Sequence, residues 1–121
     1  MYAITTESIS AIANDLPSPT GYKVLIAVAK VDDKKGNILL PDAYKKLEDT
    51  AAIVGYVMAL GPDAYLDSNK FPSGPFCSKG EWVMFKSYSG TRFKVGEQEF
   101  RLLNDDEISA SVPNPAKIER V

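Results

Sequence analysis

Residues 51–60, Ala51-Ala52-Ile53-Val54-Gly55-Tyr56-Val57-Met58-Ala59-Leu60, decide the fold class, because this apolar run fits either a buried helix or a strand. The Ile53-Val54 and Tyr56-Val57 pairs favour extended backbone, where β-branched and aromatic side chains pack on a pleated surface. Gly55 in their midst predicts a bend or bulge of the kind that curves a small sheet. Upstream, YKVLIAVAK from Tyr22 to Lys30 places Val24, Ile26 and Val28 on one parity, the pattern of a half-buried first strand. Downstream, EWVMFK (Glu81 to Lys86) alternates, Tyr88-Ser89-Gly90-Thr91 reads as a turn, and Arg92 to Val95 joins Gln98 to Leu103 through Gly96-Glu97 as a hairpin. Ile108 to Val112 supplies a last short strand. About five short strands punctuated by Gly and Pro predict an all-β chain, a small antiparallel β-barrel.

Composition limits what such a barrel can do. The 121 residues, 45% of them hydrophobic, suit one domain with one core. A net charge of -2 provides no basic field for phosphates or an anionic membrane, so neither nucleic acid nor membrane is an expected partner. The sequence starts without a positive n-region, and no apolar run nears the ~18 residues of a membrane span, so a cytoplasmic protein is expected. Cys77 is the only cysteine and histidine is absent. Ser-His-Asp and Cys-His catalysis and ordinary tetrahedral zinc ligation are therefore excluded within the chain. The carboxylate and lysine runs at Asp32-Asp33, Lys34-Lys35 and Asp105-Asp106-Glu107 read as solvated charge, and no phosphate-binding Gly-rich signature occurs. No enzyme and no cofactor are expected. Trp82, Phe85, Tyr88, Phe93 and Phe100 could form a base-stacking platform, but in an acidic chain core packing is the better reading for most of them.

Between the first two strands, residues 31–50 are rich in Asp, Lys and Glu yet carry Ile38-Leu39-Leu40-Pro41 at their centre. A structureless loop of that length inside a small domain is usually functional; the alternative is an edge strand over 37–40 followed by a helix over 42–48. Gly36 supplies backbone freedom, and Pro41 limits regular structure beyond the aliphatic residues. Three prolines and two glycines in the stretch after Gly61 predict turns, with a short hairpin among them. Residues 1–16 permit a short amphipathic helix or a terminal extension without fixed structure. The compact domain then spans 17–112, and 113–121 reads as an exposed tail.

Taken in order, PTGYKVLIAVAK, KKGNILLPDAYKK, IVGYVMALGPDAY, KGEWVMFKSYSGTRFKV and EFRLLNDDEISASV resemble the GroES-like co-chaperonin (chaperonin-10) family from Pro17 to Val112. Its most specific parts are Gly36 to Pro41, the turn at 88–91 and Asn104 to Ile108. The resemblance implies a heptameric ring of barrels that caps a GroEL-like chaperonin ring in a nucleotide-dependent manner, the nucleotide belonging to the partner. It implies a mobile loop over 31–50 docking through Ile38, Leu39 and Leu40, with Gly36, Asn37 and Pro41 shaping it, and a roof-type hairpin over 62–76. It also implies a subunit interface near Tyr22, Lys23, Val24 and Leu25 and near Ile108, Ser109, Ala110 and Val112. Asn37 stands where the family commonly has a second Gly, and Tyr22-Lys23 where it has an Asp-Arg pair. For a viral member the compartment would be the host cytoplasm. The reading from another class is a structural or adaptor β-barrel whose Ile38 to Leu40 meet a different partner.

Overall fold

A computed structural model describes residues 13–29 and 49–121. Ile38, Leu39 and Leu40, the residues expected to dock, their neighbours Gly36, Asn37 and Pro41, and residues 1–12 lie outside the described residues.

The described residues form six antiparallel strands: β1 (Lys23–Val28), β2 (Val54–Leu60), β3 (Trp82–Phe85), β4 (Thr91–Val95), β5 (Gln98–Asn104) and β6 (Ile108–Val112). They make one sheet in the order β4-β5-β1-β2-β3-β6. Three single-turn 3-10 helices, Ala13–Asp15, Asp105–Glu107 and Pro115–Lys117, accompany them. The all-β expectation holds, and the 51–60 run divides: residues 49–51 are helical and the strand starts at Val54.

One cluster holds Val24, Ile26 and Val28 of β1 together with Val57, Val83, Phe85, Leu103 and Ile108, which come from β2, β3, β5 and β6. Side chains from strands that are not sheet neighbours meet only if the sheet curls over its own face, the barrel-type arrangement. The opposite face of β1 is covered as well, since Leu25 and Ala27 pack with Phe100 against Tyr56, Met58, Phe93 and Leu102. β1 is thus buried on both faces, not on one as its parity predicts, and a near-continuous apolar run is what such a strand requires.

The irregularity expected at Gly55 lies elsewhere. Leu25 pairs with Ala59 and Ile26 with Val57, so Met58 is the extra residue of a bulge, while Gly55 pairs regularly with Val28 and Val83. Gly55 has a packing reason instead: a Cβ there would collide with Ile26 Cγ2 and stand 2.9 Å from the Ala27 carbonyl oxygen. The β4–β5 hairpin closes through Gly96 at φ +62°, the positive φ that a two-residue hairpin demands at its first central position.

One further expectation is corrected. Residues 62–76 form turns with no strand pairing, so the roof-type hairpin is absent. The segment folds back instead, burying Tyr65 and Phe71 in the main cluster beside Cys77. The rings of Tyr65, Phe71 and Phe76 pack mutually, with centroids 4.9–5.5 Å apart. The tail is largely exposed, as expected, but it is tied down at three points. The Asn114 side chain accepts the Ala116 N–H and caps the turn at Pro115–Lys117, Ile118 packs on Ala29, Ala51 and Val54, and the Arg120 N–H donates to Thr50 Oγ1 at 2.9 Å.

Candidate functional site

The described chain stops at Ala29 and resumes at Asp49, and these two flanks of the anomalous segment are fastened to each other. The Ala29 N–H donates to the Val54 carbonyl at 2.9 Å. Ala29, Ala51 and Val54 are buried together under Ile53, Trp82 and Ile118. Gln98 Nε2 donates to the Val28 carbonyl at 2.8 Å and so satisfies the end of β1. Trp82 in turn meets Tyr56 edge to face at 5.6 Å. Whatever residues 30–48 do, they do it from a packed and hydrogen-bonded base. Gln98 and Ile118 belong to that base without any sequence signal, because one sits at a hairpin corner and the other in a Pro-flanked tail.

The residues expected at a subunit interface fall into distinct positions. β1 is flanked by β2 and β5, so its backbone has no open edge, and Val24 and Leu25 are core residues. Tyr22 is half exposed, and the Lys23 ammonium donates to Asn104 Oδ1 at 2.5 Å. β6 pairs with β3 alone, leaving its second edge without a strand partner among the described residues. Ile108 and Val112 anchor β6 in the barrel, while Ser109, Ala110 and Ser111 are exposed. Beside this edge a shallow hollow of about 240 Å³ is lined by Phe76, Ile108, Ser109 and Ala110, and Phe76 is 42% exposed. An open edge next to an apolar hollow is the arrangement that accepts another strand.

The turn at 88–91 is set by a residue that parity alone does not mark. Arg101 on β5 lies opposite Ile26 and shares its inward face, with only 2% of its surface exposed. Its Nη1 donates to the carbonyls of Ser87 at 2.6 Å and Ser89 at 3.0 Å, and its guanidinium lies 5.1 Å from the Phe85 ring centroid. Burial lowers the pKa of this guanidinium, with Arg92 acting the same way and Glu99 opposing. Pinned from inside, the turn holds Tyr88 outward, 79% exposed.

A second buried polar knot joins the 62–76 segment to the lead-in of β6. The Tyr65 phenol and Cys77 thiol lie 3.5 Å apart, and both ordinary pKa values are raised, chiefly by burial. Cys77 is therefore a protonated core thiol and not a reactive one. No group of three or more metal-ligating side chains occurs among the described residues. None of their helices is long and apolar enough to cross a membrane.

Comparison with known proteins accords with this geometry. Residues 17–112 match the family described as Chaperonin 10 Kd subunit. The chain belongs to that family. It is also 30% identical over 95 residues to the Co-chaperonin GroES of Solidesulfovibrio magneticus, an alignment covering 78% of this chain and 94% of the relative. The chaperonin 10 match opens at Pro17, before β1, and closes at Val112, the last residue of β6. It therefore contains both the fastened base and the open edge, whereas the Ile118 and Arg120 contacts lie beyond it.

Proposed function

We propose that this chaperonin 10 chain is a co-chaperonin: it assembles into a ring, as a heptamer, and caps the folding chamber of a GroEL-like chaperonin in the cytoplasm. The observation that carries this reading is the fastened base at Ala29, Ala51 and Val54 in a member of this family. It supports the reading of residues 31–50 as a docking loop, with Ile38, Leu39 and Leu40 as aliphatic anchors among charged residues. Burying one such side chain yields roughly 1.5–3 kcal/mol before the cost of ordering the chain around it. One anchor set per subunit binds weakly, and a ring multiplies it through effective concentration.

The open edge of β6 and its hollow support strand addition between subunits as the route to the ring. Nucleotide turnover is assigned to the partner, because this chain carries no phosphate-binding Gly-rich signature. The test is co-sedimentation of the purified chain with a chaperonin ring, with and without nucleotide. Nucleotide-dependent binding that Leu40→Asp abolishes, with ring size unchanged, is the expected result. A chain indifferent to chaperonin would instead be a structural or adaptor barrel.

A further inference from the structure

On the face turned away from the barrel interior, Phe93, Phe100, Ala27 and Tyr56 form one cross-strand row over β4, β5, β1 and β2. The rings of Phe93 and Phe100 stack at 5.7 Å, and Leu102 and Met58 extend the apolar surface beside them. A solvated outer face carries polar residues in alternation with the core, whereas an apolar one calls for a covering layer. Of the residues in this cluster, Leu16 alone comes from outside the strands, while Tyr56, Met58, Phe93 and Leu102 are only partly buried.

A fixed lead-in places Leu16 there. The Lys23 N–H donates to the Thr20 carbonyl at 3.1 Å, and the Gly21 carbonyl accepts the Asp63 N–H at 2.9 Å. Gly61 lies so close to Gly21 that a Cβ there would collide with the Gly21 carbonyl oxygen. The chain reaches Leu16 from a helical turn at Ala13–Asp15, and residues 1–12 precede that turn. Their sequence continues the stripe that Leu16 begins. Ile9, Ile12, Ala13 and Leu16 follow the i, i+3, i+4, i+7 spacing of one helical face, and Glu7, Ser10 and Asn14 fall opposite. At 1.5 Å per residue, a helix over 5–15 covers about 16 Å. Four strands span about 14 Å, so the length matches the width of the open face.

We propose that residues 5–12 of the same chain complete this layer as an amphipathic helix laid across β4, β5, β1 and β2, with Ile9 and Ile12 seated beside Leu16 on Met58, Phe93 and Leu102. The chain's own segment is the occupant because Ile12 stands four residues from a side chain already in place. Its docking is intramolecular, at an effective concentration that a second copy would have to exceed. A helix this short is marginal by itself, so it forms only as it docks. The chaperonin 10 match opens at Pro17, which makes the strap an addition to the family's core. The proposal depends neither on ring assembly nor on capping a chaperonin.

The test is methyl NMR on the full chain with its Ile, Leu and Met methyl groups labelled. Nuclear Overhauser contacts from the Ile9 and Ile12 δ1 methyls to the Met58 and Leu102 methyls are expected. A co-refolded mixture of copies labelled only at Ile with copies labelled only at Leu and Met should show none of them, because donor and acceptor then sit in different chains. The double variant Ile9→Asp, Ile12→Asp is expected to uncover the face, raising the fluorescence of added 1-anilinonaphthalene-8-sulfonate about twofold or more at an unchanged β-strand signal. Ile4→Asp, whose residue lies off the stripe, should leave dye fluorescence as it is. Absence of the methyl contacts in the fully labelled chain overturns the proposal. Contacts in the mixed sample overturn it in favour of a second copy as occupant, and equal dye fluorescence in the parent and the double variant, or an equal rise with Ile4→Asp, overturns the seating of Ile9 and Ile12.

Discussion

Tyr65 and Asp105 grip each other twice: the Tyr65 N–H donates to Asp105 Oδ2 at 3.1 Å, and the Tyr65 hydroxyl donates to the Asp105 carbonyl at 2.7 Å. The tyrosine sits at φ +61°, a left-handed conformation uncommon for a bulky aromatic residue. Tyr65→Phe removes the hydroxyl and leaves a buried carbonyl without its donor, which costs about 1–3 kcal/mol. Urea unfolding should show a lower midpoint at an unchanged slope. An unaltered midpoint would mean that the second contact contributes nothing.

The same neighbourhood predicts alkaline sensitivity. Burial raises Cys77 above its ordinary 9.0 and Tyr65 above its ordinary 10.0. In the pH range between ordinary and raised values the folded chain keeps protons that the unfolded chain has released, so stability falls as pH rises. Stability is expected to be level from pH 7 to near pH 9 and to decline above it. Cys77→Ala should move the onset toward pH 10, as measured by urea midpoints across the series. The same profile in both proteins would remove Cys77 from the account.

Gly55 is where β1 and β2 have no room for a side chain. Gly55→Ala brings a methyl into Ile26 Cγ2, and relieving the clash must part the strands or turn Ile26 off its rotamer, costing about 1–3 kcal/mol. Thermal denaturation should register this, while Gly74→Ala, where no atom lies within 4 Å of the new Cβ, reports the backbone penalty of a positive φ alone. Equal losses in both variants would show that close approach at Gly55 is not the constraint.

Assembly has its own variant. Ala110 is exposed on β6 and lines the hollow with Phe76, so Ala110→Asp sets a charge beside the open edge without disturbing the barrel. Sedimentation velocity is expected to show a shift toward smaller species with an unchanged circular dichroism spectrum, a loss of the order of 1–3 kcal/mol per contact. Undiminished assembly would exclude this edge as the contact.

Strand content was legible because its signals are local. The alternation in Glu81 to Lys86 and the Gly96 turn each determine a neighbour's conformation, and β3, β4, β5 and β6 fall within a residue or so of where pattern places them. Contacts that join distant segments were not legible. Nothing in the pattern of Gln98 to Leu103 marks Arg101 as buried, since both parities of that strand are partly apolar. The carbonyls of Ser87 and Ser89 and the ring of Phe85, all distant in sequence, are what hold it inside. The prolines at 62, 72 and 75 promise turns but cannot say that Tyr65 and Phe71 turn inward. Ile118, between polar residues in a short tail, has no periodicity at all. At the proposed docking segment the reverse holds. The tripeptide was read from sequence, and its base, which the structure describes, was not.

That base has a mechanical meaning. Tension on residues 30–48 enters the subunit at Ala29 and Asp49 together, where Ala29, Ala51 and Val54 share one buried contact and Arg120 ties Thr50 to the chain's far end. The two ends pull as one handle, and the load spreads into β1 at the middle of the sheet, which its neighbours hold on both sides. A pull on residues 30–48 should therefore shift the whole sheet as a rigid body before it peels a strand away.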